Sequence, residues 1–330
     1  MNRTKNFMII TSIFSPTKAV EKFSNICDWS LIVVGDKKSP NSWAQENTIF
    51  LSAGEQKKLD YQLINSLPWN HYCRKMIGYV YAIKQGADYI YDTDDDNIPK
   101  LNWEIPRFEG EYLKSNENLG FINIYKSFTE QHIWPRGLPL QLINDYKATL
   151  EENSLIKNKS KVGVWQGLAD GDPDVDAIYR LTNNEPCIFK ERDPIVLAKG
   201  TISPFNSQNT AFYKELFPLL YLPAYVTFRF TDILRGLVAQ PIMWAAGYEL
   251  GFMNATVFQE RNPHNYVNDF ESEIPCYLHG EKVIELVEGS ISSSKSVVDN
   301  LYNAYETLCN NNIVISSEIE VLSDWLKDIS

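Results

Sequence analysis

The stretch YIYDTDDDN, residues 89–97, sets four carboxylates (Asp92, Asp94, Asp95 and Asp96) at the end of a β-prone apolar run. Gly86 stops the preceding helical segment, and Ala87 to Tyr91 then read as a buried strand whose carboxyl end carries the acids. Carboxylates this close repel one another and raise one another's pKa values unless a cation offsets them. A hard ion, Mg²⁺ or Mn²⁺, takes oxygen ligands and keeps positions open for substrate phosphates. The plainer alternative is a solvated acidic turn closing a strand.

Outward from this stretch, strands alternate with helices. FMIITSIF is a strand, KAVEKFSNICD an amphipathic helix, WSLIVVGDKKSP a second strand and NTIFLSAGEQ a third, and a helix is expected from Leu67 to Gln85. Such alternation predicts an α/β fold with a mostly parallel central sheet flanked by helices, its ligands gathered at the carboxyl edge. LGFINIYKSF reads as a strand, IWPRGLPLQLI as a Pro-rich loop walling a cleft, and KVGVWQGLADGDPDVDAIYRLT as a strand passing into an acidic turn. Helical spacing spans Thr231 to Ala246. Beyond about residue 280 two serine-preceded helices form a C-terminal extension, so the expected division is 1–280 and 281–330, with the extension a candidate oligomer contact.

The 330 residues, 44% of them hydrophobic, suffice for a sizeable core. A formal charge of −11, from 31 basic and 42 acidic residues, argues against a nucleic-acid partner or an anionic membrane footprint. No run reaches the roughly 18–20 apolar residues that a spanning helix needs, and MNRTKNFMIITSIF lacks a secretory pattern. The expectation is a cytoplasmic chain without a transmembrane segment, with peripheral membrane association left open. Five scattered cysteines without a C-x-x-C pair read as reduced thiols.

Six segments taken in order, VVGDKKSP (33–40), LPWNHYCRKMIGYVYAIKQGADYIYDTDDDN (67–97), WPRGLPL (134–140), WQGLADGDPDVDAIYRLT (165–182), NSQNTAF (206–212) and VTFRFTDILRG (226–236), resemble the STELLO-type (DUF288) glycosyltransferases. More distantly they resemble the reversibly glycosylated polypeptides that act as UDP-arabinopyranose mutases. The likeness is expected to cover residues 7–270 and to leave the C-terminal helices outside. It implies a GT-A type nucleotide-sugar-binding fold and a metal-dependent glycosyltransferase. The expected donor is a UDP-sugar, the acceptor a glycan or lipid-linked molecule, and the cofactor Mn²⁺ or Mg²⁺. Two other readings stay open: a UDP-sugar mutase, and an inactive nucleotide-sugar-binding scaffold.

Asp94 and Asp96 match the D-x-D pattern, which in GT-A enzymes holds the ion that binds the donor diphosphate. The resemblance makes Asp96 the direct ligand and turns Asp94 and Asp95 toward ribose or metal-bound water. Asp92 fits a shifted register, D-T-D. His264 lies where such enzymes often supply a further ligand. Ser12 and Asp36, at the ends of the first two strands, are candidates for nucleotide contacts, although an Asp in GDKKSP also suits a simple turn. Arg74 matches a donor-binding arginine, and Lys75 beside it offers further charge. Asp232, flanked by Arg229 and Arg235, is the candidate base for an acceptor hydroxyl; its alternative is a helix N-cap. Arg136, Trp165, Asp170, Asp172, Gln208 and Asn209, with Arg229 and Arg235, are candidate acceptor or sugar contacts.

Overall fold

A computed structural model describes residues 5–260 and 265–330. The chain builds β1 (Asn6–Thr11), α1 (Lys18–Phe23), β2 (Trp29–Val34), β3 (Thr48–Leu51), the single turns α2 (Ala53–Gln56) and α3 (Leu63–Ser66), α4 (Lys75–Lys84), β4 (Tyr89–Thr93), β5 (Asn97–Pro99), β6 (Glu109–Lys114) and β7 (Gly120–Phe121). There follow β8 (Ile156–Gly171), α5 (Ala177–Thr182), β9 (Ile195–Leu197), β10 (Thr201–Ile202), β11 (Asn209–Tyr213), α6 (Thr231–Ala245), β12 (Glu249–Gln259), α7 (Tyr266–Ser290), α8 (Val297–Asn310) and α9 (Ser316–Ile329).

Ten strands form one sheet in the order β3-β2-β1-β4-β11-β8-β6-β9-β12-β5. The first four are parallel, as the alternation implies, and place Ser12, Asp36 and Asp94–Asp96 beyond the carboxyl ends of β1, β2 and β4. The rest corrects the expectation of a mostly parallel sheet. β11 runs antiparallel to both β4 and β8, and β8 pairs parallel with β12 but antiparallel with β6. The sheet is therefore mixed. The cause is β8, a strand of 16 residues whose two halves pair with different neighbours.

α4 lies across β1 and β2 because Gly78 lets it approach: a Cβ there would stand 2.7 Å from Ile9 and 2.8 Å from Val34. The helix ends at Gly86, with φ of 78°, where Ala87 N–H donates to the Ala82 carbonyl (3.1 Å) and Gly86 N–H to that of Ile83 (2.8 Å). This is the left-handed glycine stop the sequence announces. The helix begins later than expected, however. Leu67 to Arg74 form a loop and a 3₁₀ turn, capped by His71 Nδ1 accepting from Cys73 N–H at 3.1 Å. The strand expected at 119–128 shrinks to β7, followed by a 3₁₀ turn over Ile124–Ser127.

α7 was not anticipated, and the boundary expected at residue 280 falls inside it. α8 and α9 are the two helices expected near the C-terminus, but they pack on the sheet's helical layer. Fully buried Trp325 donates Nε1–H to the Pro218 carbonyl at 3.0 Å and meets Tyr79 edge-on. Asp328 accepts from the N–H groups of Gln62 (2.8 Å) and Leu63 (2.9 Å). Buried Glu318 accepts from the N–H groups of Ala224 (2.9 Å) and Tyr225 (2.8 Å) and from the Tyr221 hydroxyl. Among the described residues no helix is long and apolar enough to cross a membrane.

Candidate functional site

The acidic stretch ends β4 at a cleft with two adjoining lobes. One, about 260 Å³, is lined by Asp94, Asp95 and Asp96 and, across from them, Arg136, Asp174, Gln208, Arg229 and Asp232. The other, about 240 Å³, is lined by Ser12, Asp36, Asn70, His71, Arg74 and Asp95. Thr11, Tyr72, Asp95 and Phe228 border both. A larger cavity, about 660 Å³ around Trp29, Tyr89, Trp103 and Phe108, sits at the opposite, amino ends of β1 and β4. It holds none of the clustered acids, so chemistry rather than volume selects the smaller cleft.

The four aspartates divide by environment. Asp92 has no exposed surface, and both of its oxygens are taken: Oδ1 by Lys75 Nζ at 2.8 Å, Oδ2 by Arg235 Nη1 at 2.8 Å. The D-T-D register therefore does not bring Asp92 to the cleft. Asp94 keeps one oxygen 3.0 Å from Lys75, with its side chain 42% exposed. Asp95 accepts from the Ser12 hydroxyl, while its carbonyl accepts from Thr17 Oγ1 at 2.5 Å. Asp96 Oδ2 accepts from Gln259 Nε2 at 3.2 Å.

Burial pushes the Asp94 carboxyl up to about 6; Lys75 pulls it down, and the Asp96 and Asp92 charges push it further up. Solvent at the exposed side chain screens part of that rise. Asp95 also goes up to about 6, through burial first, against the Ser12 hydrogen bond, with Asp94 adding to the rise. Burial works against the Lys75 ammonium, but Asp92 and Asp94 outweigh it and raise its pKa.

Opposite the acids stands a fork of ion pairs. The Arg136 guanidinium grips Asp174 (2.9 and 2.8 Å) and Asp232 (3.0 and 2.9 Å). Such bidentate pairs are strong and directional. Asp232 also accepts from Ile233 N–H at 3.0 Å and from Ser207 N–H at 3.3 Å, which fills about four lone-pair sites. It sits in the first turn of α6, with Phe230 at the N-cap position, so the N-cap alternative is corrected. Arg229 reaches Glu273 on α7 at 2.8 Å, which ties that helix to the cleft.

The other expected residues separate. Asp36 lines the lobe and accepts from the N–H groups of Lys37 (2.6 Å) and Asn70 (2.8 Å), the latter also lining it, which fixes the turn there. Arg74 is buried rather than offered to solvent. It donates to Gln56 Oε1 (3.0 and 2.7 Å) and stacks 3.5 Å over the ring of Trp69. Gln208 faces the acidic lobe. Five candidates for sugar contacts are placed elsewhere. Trp165 is wholly buried against Tyr112, Arg235 is buried on Asp92, and Asn209 is buried holding the Leu168 carbonyl at 2.8 Å. Asp170 pairs with Lys100 and Asp172 with Arg180. His264 lies outside the described residues.

Sequence reasoning missed Tyr72, Asp174, Ser207, Phe228 and Gln259, which complete the lobe, and Trp69 under Arg74. Asp174 stood in plain view in DGDPDVD, but what distinguishes it from its acidic neighbours, its contacts with Arg136 and Asn206 and its place in the lobe, comes from remote parts of the chain.

Among the described residues no three His, Cys, Asp or Glu side chains converge to hold a metal ion by themselves. Asp94 and Asp96 nevertheless open on one lobe, where burial first and then the neighbouring Asp96 charge raise the Asp94 pKa, a rise that a cation would relieve. That donor set fits Mg²⁺ or Mn²⁺ held by one or two carboxylates and completed by phosphate oxygens and water.

Comparison with known proteins finds a family match over part of the chain: the sequence pattern of the STELLO glycosyltransferases matches residues 229–330. The match includes α8 and α9, correcting the expectation that these helices lie outside the likeness. Over 99% of its length the chain is also similar to two Arabidopsis thaliana proteins, "Probable glycosyltransferase STELLO2" at 27% identity and "Probable glycosyltransferase STELLO1" at 25%. It spans less than half of either relative, 45% and 44%. A solved structure titled "Crystal Structure of a Mycobacterial Protein" is similar at a TM-score of 0.41 and 10% identity, covering 89% of this chain and 77% of that one; so slight a likeness carries no argument.

Proposed function

We propose that the chain is a metal-dependent glycosyltransferase with a GT-A type fold, moving a sugar from a UDP-sugar to a glycan or lipid-linked acceptor. One observation carries the reading. Three successive carboxylates at the end of a parallel strand open on the same cavity as an Arg136–Asp232 pair, in a chain similar throughout to probable glycosyltransferases.

In this reading the donor's nucleoside occupies the lobe of Ser12, Asp36 and His71, and its diphosphate lies along Asp94, Asp95 and Asp96. Asp96 and Asp94 would hold Mn²⁺ or Mg²⁺, which when bound would supply Lewis-acid stabilisation for a diphosphate leaving group. Gln208, Arg136 and Arg229 border the space left for the sugar and the acceptor hydroxyl. Asp232 takes the hydroxyl proton as the new glycosidic bond forms and the sugar–phosphate bond breaks. The Ser207 contact at 3.3 Å is the longest of its four bonds and the one an acceptor hydroxyl would displace.

A panel of nucleotides and nucleotide-sugars, screened by thermal shift with and without Mn²⁺, tests the proposal, because ligands that bind the folded state raise its stability by mass action. Selective, Mn²⁺-dependent stabilisation by uridine diphosphates is expected. Equal shifts for all nucleotides, or none, would overturn it.

A further inference from the structure

Lys75, the first residue of α4, has no exposed surface, yet its ammonium contacts Asp92 Oδ1 (2.8 Å), Asp94 Oδ1 (3.0 Å) and the Thr93 carbonyl (2.8 Å). Arg235, equally buried, takes the other oxygen of Asp92 at 2.8 Å and the Asn206 carbonyl at 2.7 Å. Two buried cations thus face two carboxylates. Asp92 is closed to the cleft and serves to hold Lys75 in place, while Asp94 turns one oxygen to Lys75 and leaves its side chain half-exposed to the lobe.

We infer that Lys75 is a positioning residue and a built-in counter-charge to Asp94, so that the acidic lobe binds a divalent cation weakly alone and firmly only together with a diphosphate. The inference rests on the proposed metal–diphosphate reading of the lobe. With Arg235 offsetting Asp92 and Lys75 offsetting Asp94, the field that draws a free ion into the lobe is weaker than the clustered carboxylates alone would make it. Part of Asp95's charge is spent on Ser12. A diphosphate restores both negative charge and oxygen ligands, the mode in which small hard cations are commonly held. The arrangement would make donor and metal arrive together and keep the empty site from trapping stray cations.

Mn²⁺ binding, read from the electron paramagnetic resonance signal of the free ion with and without UDP, tests this in wild type, Lys75→Met and Lys75→Arg, with near-ultraviolet circular dichroism as the check on folding. In wild type, UDP should tighten Mn²⁺ binding strongly. Lys75→Met should bind Mn²⁺ alone about tenfold tighter than wild type, ~1.4 kcal/mol, and gain correspondingly less from UDP. Lys75→Arg should behave as wild type. A folded Lys75→Met protein whose affinity for Mn²⁺ alone is unchanged or weaker overturns the inference and leaves the metal–diphosphate reading standing. Wild-type protein that binds Mn²⁺ alone as tightly as with UDP overturns it whatever the variants do. Wild-type protein that binds no Mn²⁺ in either condition sinks the inference and the functional reading together.

Discussion

Asp92→Asn separates two accounts of the acidic stretch by the sign of its effect on stability. If Asp92 belonged to a patch of mutually repelling carboxylates, neutralising it would stabilise the protein. In the structure it joins two buried cations, Lys75 and Arg235, through contacts of 2.8 Å each. The variant keeps one amide oxygen as an acceptor but turns an NH₂ donor toward the other cation, so it loses one charge-assisted hydrogen bond, worth about 1.5–3 kcal/mol, and the carboxylate charge that both cations face. Lys75 keeps Asp94 and Thr93, and Arg235 keeps Asn206, so neither cation is abandoned. The expected loss is therefore about 3–5 kcal/mol, the range for breaking a buried pair from one side. Urea unfolding followed by tryptophan fluorescence and far-ultraviolet circular dichroism measures it. With an m-value of about 3 kcal/mol/M, the midpoint should fall by roughly 1 M or more. A midpoint that is unchanged or higher would refute the counter-ion assignment.

Trp325→Ala should cost about 3–5 kcal/mol, since the ring is wholly buried between α9 and the core; a near-wild-type thermal midpoint would mean that α9 is only loosely attached. Asp94 and Asp95 each rise to about 6, so between the ordinary carboxylate value and about 6 the metal-free native state binds more protons than the unfolded one. Their stabilising contribution is present in full below about pH 4 and is lost as the pH rises through about 6. Stability of the double variant Asp94→Asn/Asp95→Asn, compared with wild type by denaturant titration from about pH 4 to pH 7, should lack this decline, and parallel curves would contradict it. Asp232→Asn should lower transfer by about 10²-fold or more while calorimetric donor affinity holds. Collapse of that affinity would instead make Asp232 a ligand.

What the sequence made legible was local. A glycine stop, a β-prone run and a knot of aspartates lie within a dozen residues of one another, so α4, β4 and the acidic edge followed from neighbouring signals. The partners that decide each aspartate's role are remote. Asp92 is fixed by Lys75, 17 residues before it, and by Arg235, 143 residues after it. Asp232 is held by Arg136, 96 residues away. Trp165 is a candidate sugar contact that by base rate is more often core than platform, and the pairing of β8 with β11 and β12 buries it in the core. The C-terminal helices read as an appendage because the sequence changes there to two serine-preceded helical stretches, yet Glu318 and Asp328 clasp backbone N–H groups far back in the chain. The mixed sheet escaped for a similar reason. Pairing direction depends on where a long strand finds its neighbours, and β8 finds different ones along its length.

The most direct measurement is an anomalous difference map from a crystal of the protein soaked in Mn²⁺ and UDP. A manganese peak beside Asp96, bridged to the diphosphate with uracil in the lobe of Ser12 and Asp36, is the predicted result. UDP bound elsewhere, or an acidic lobe without metal or diphosphate, would contradict the account.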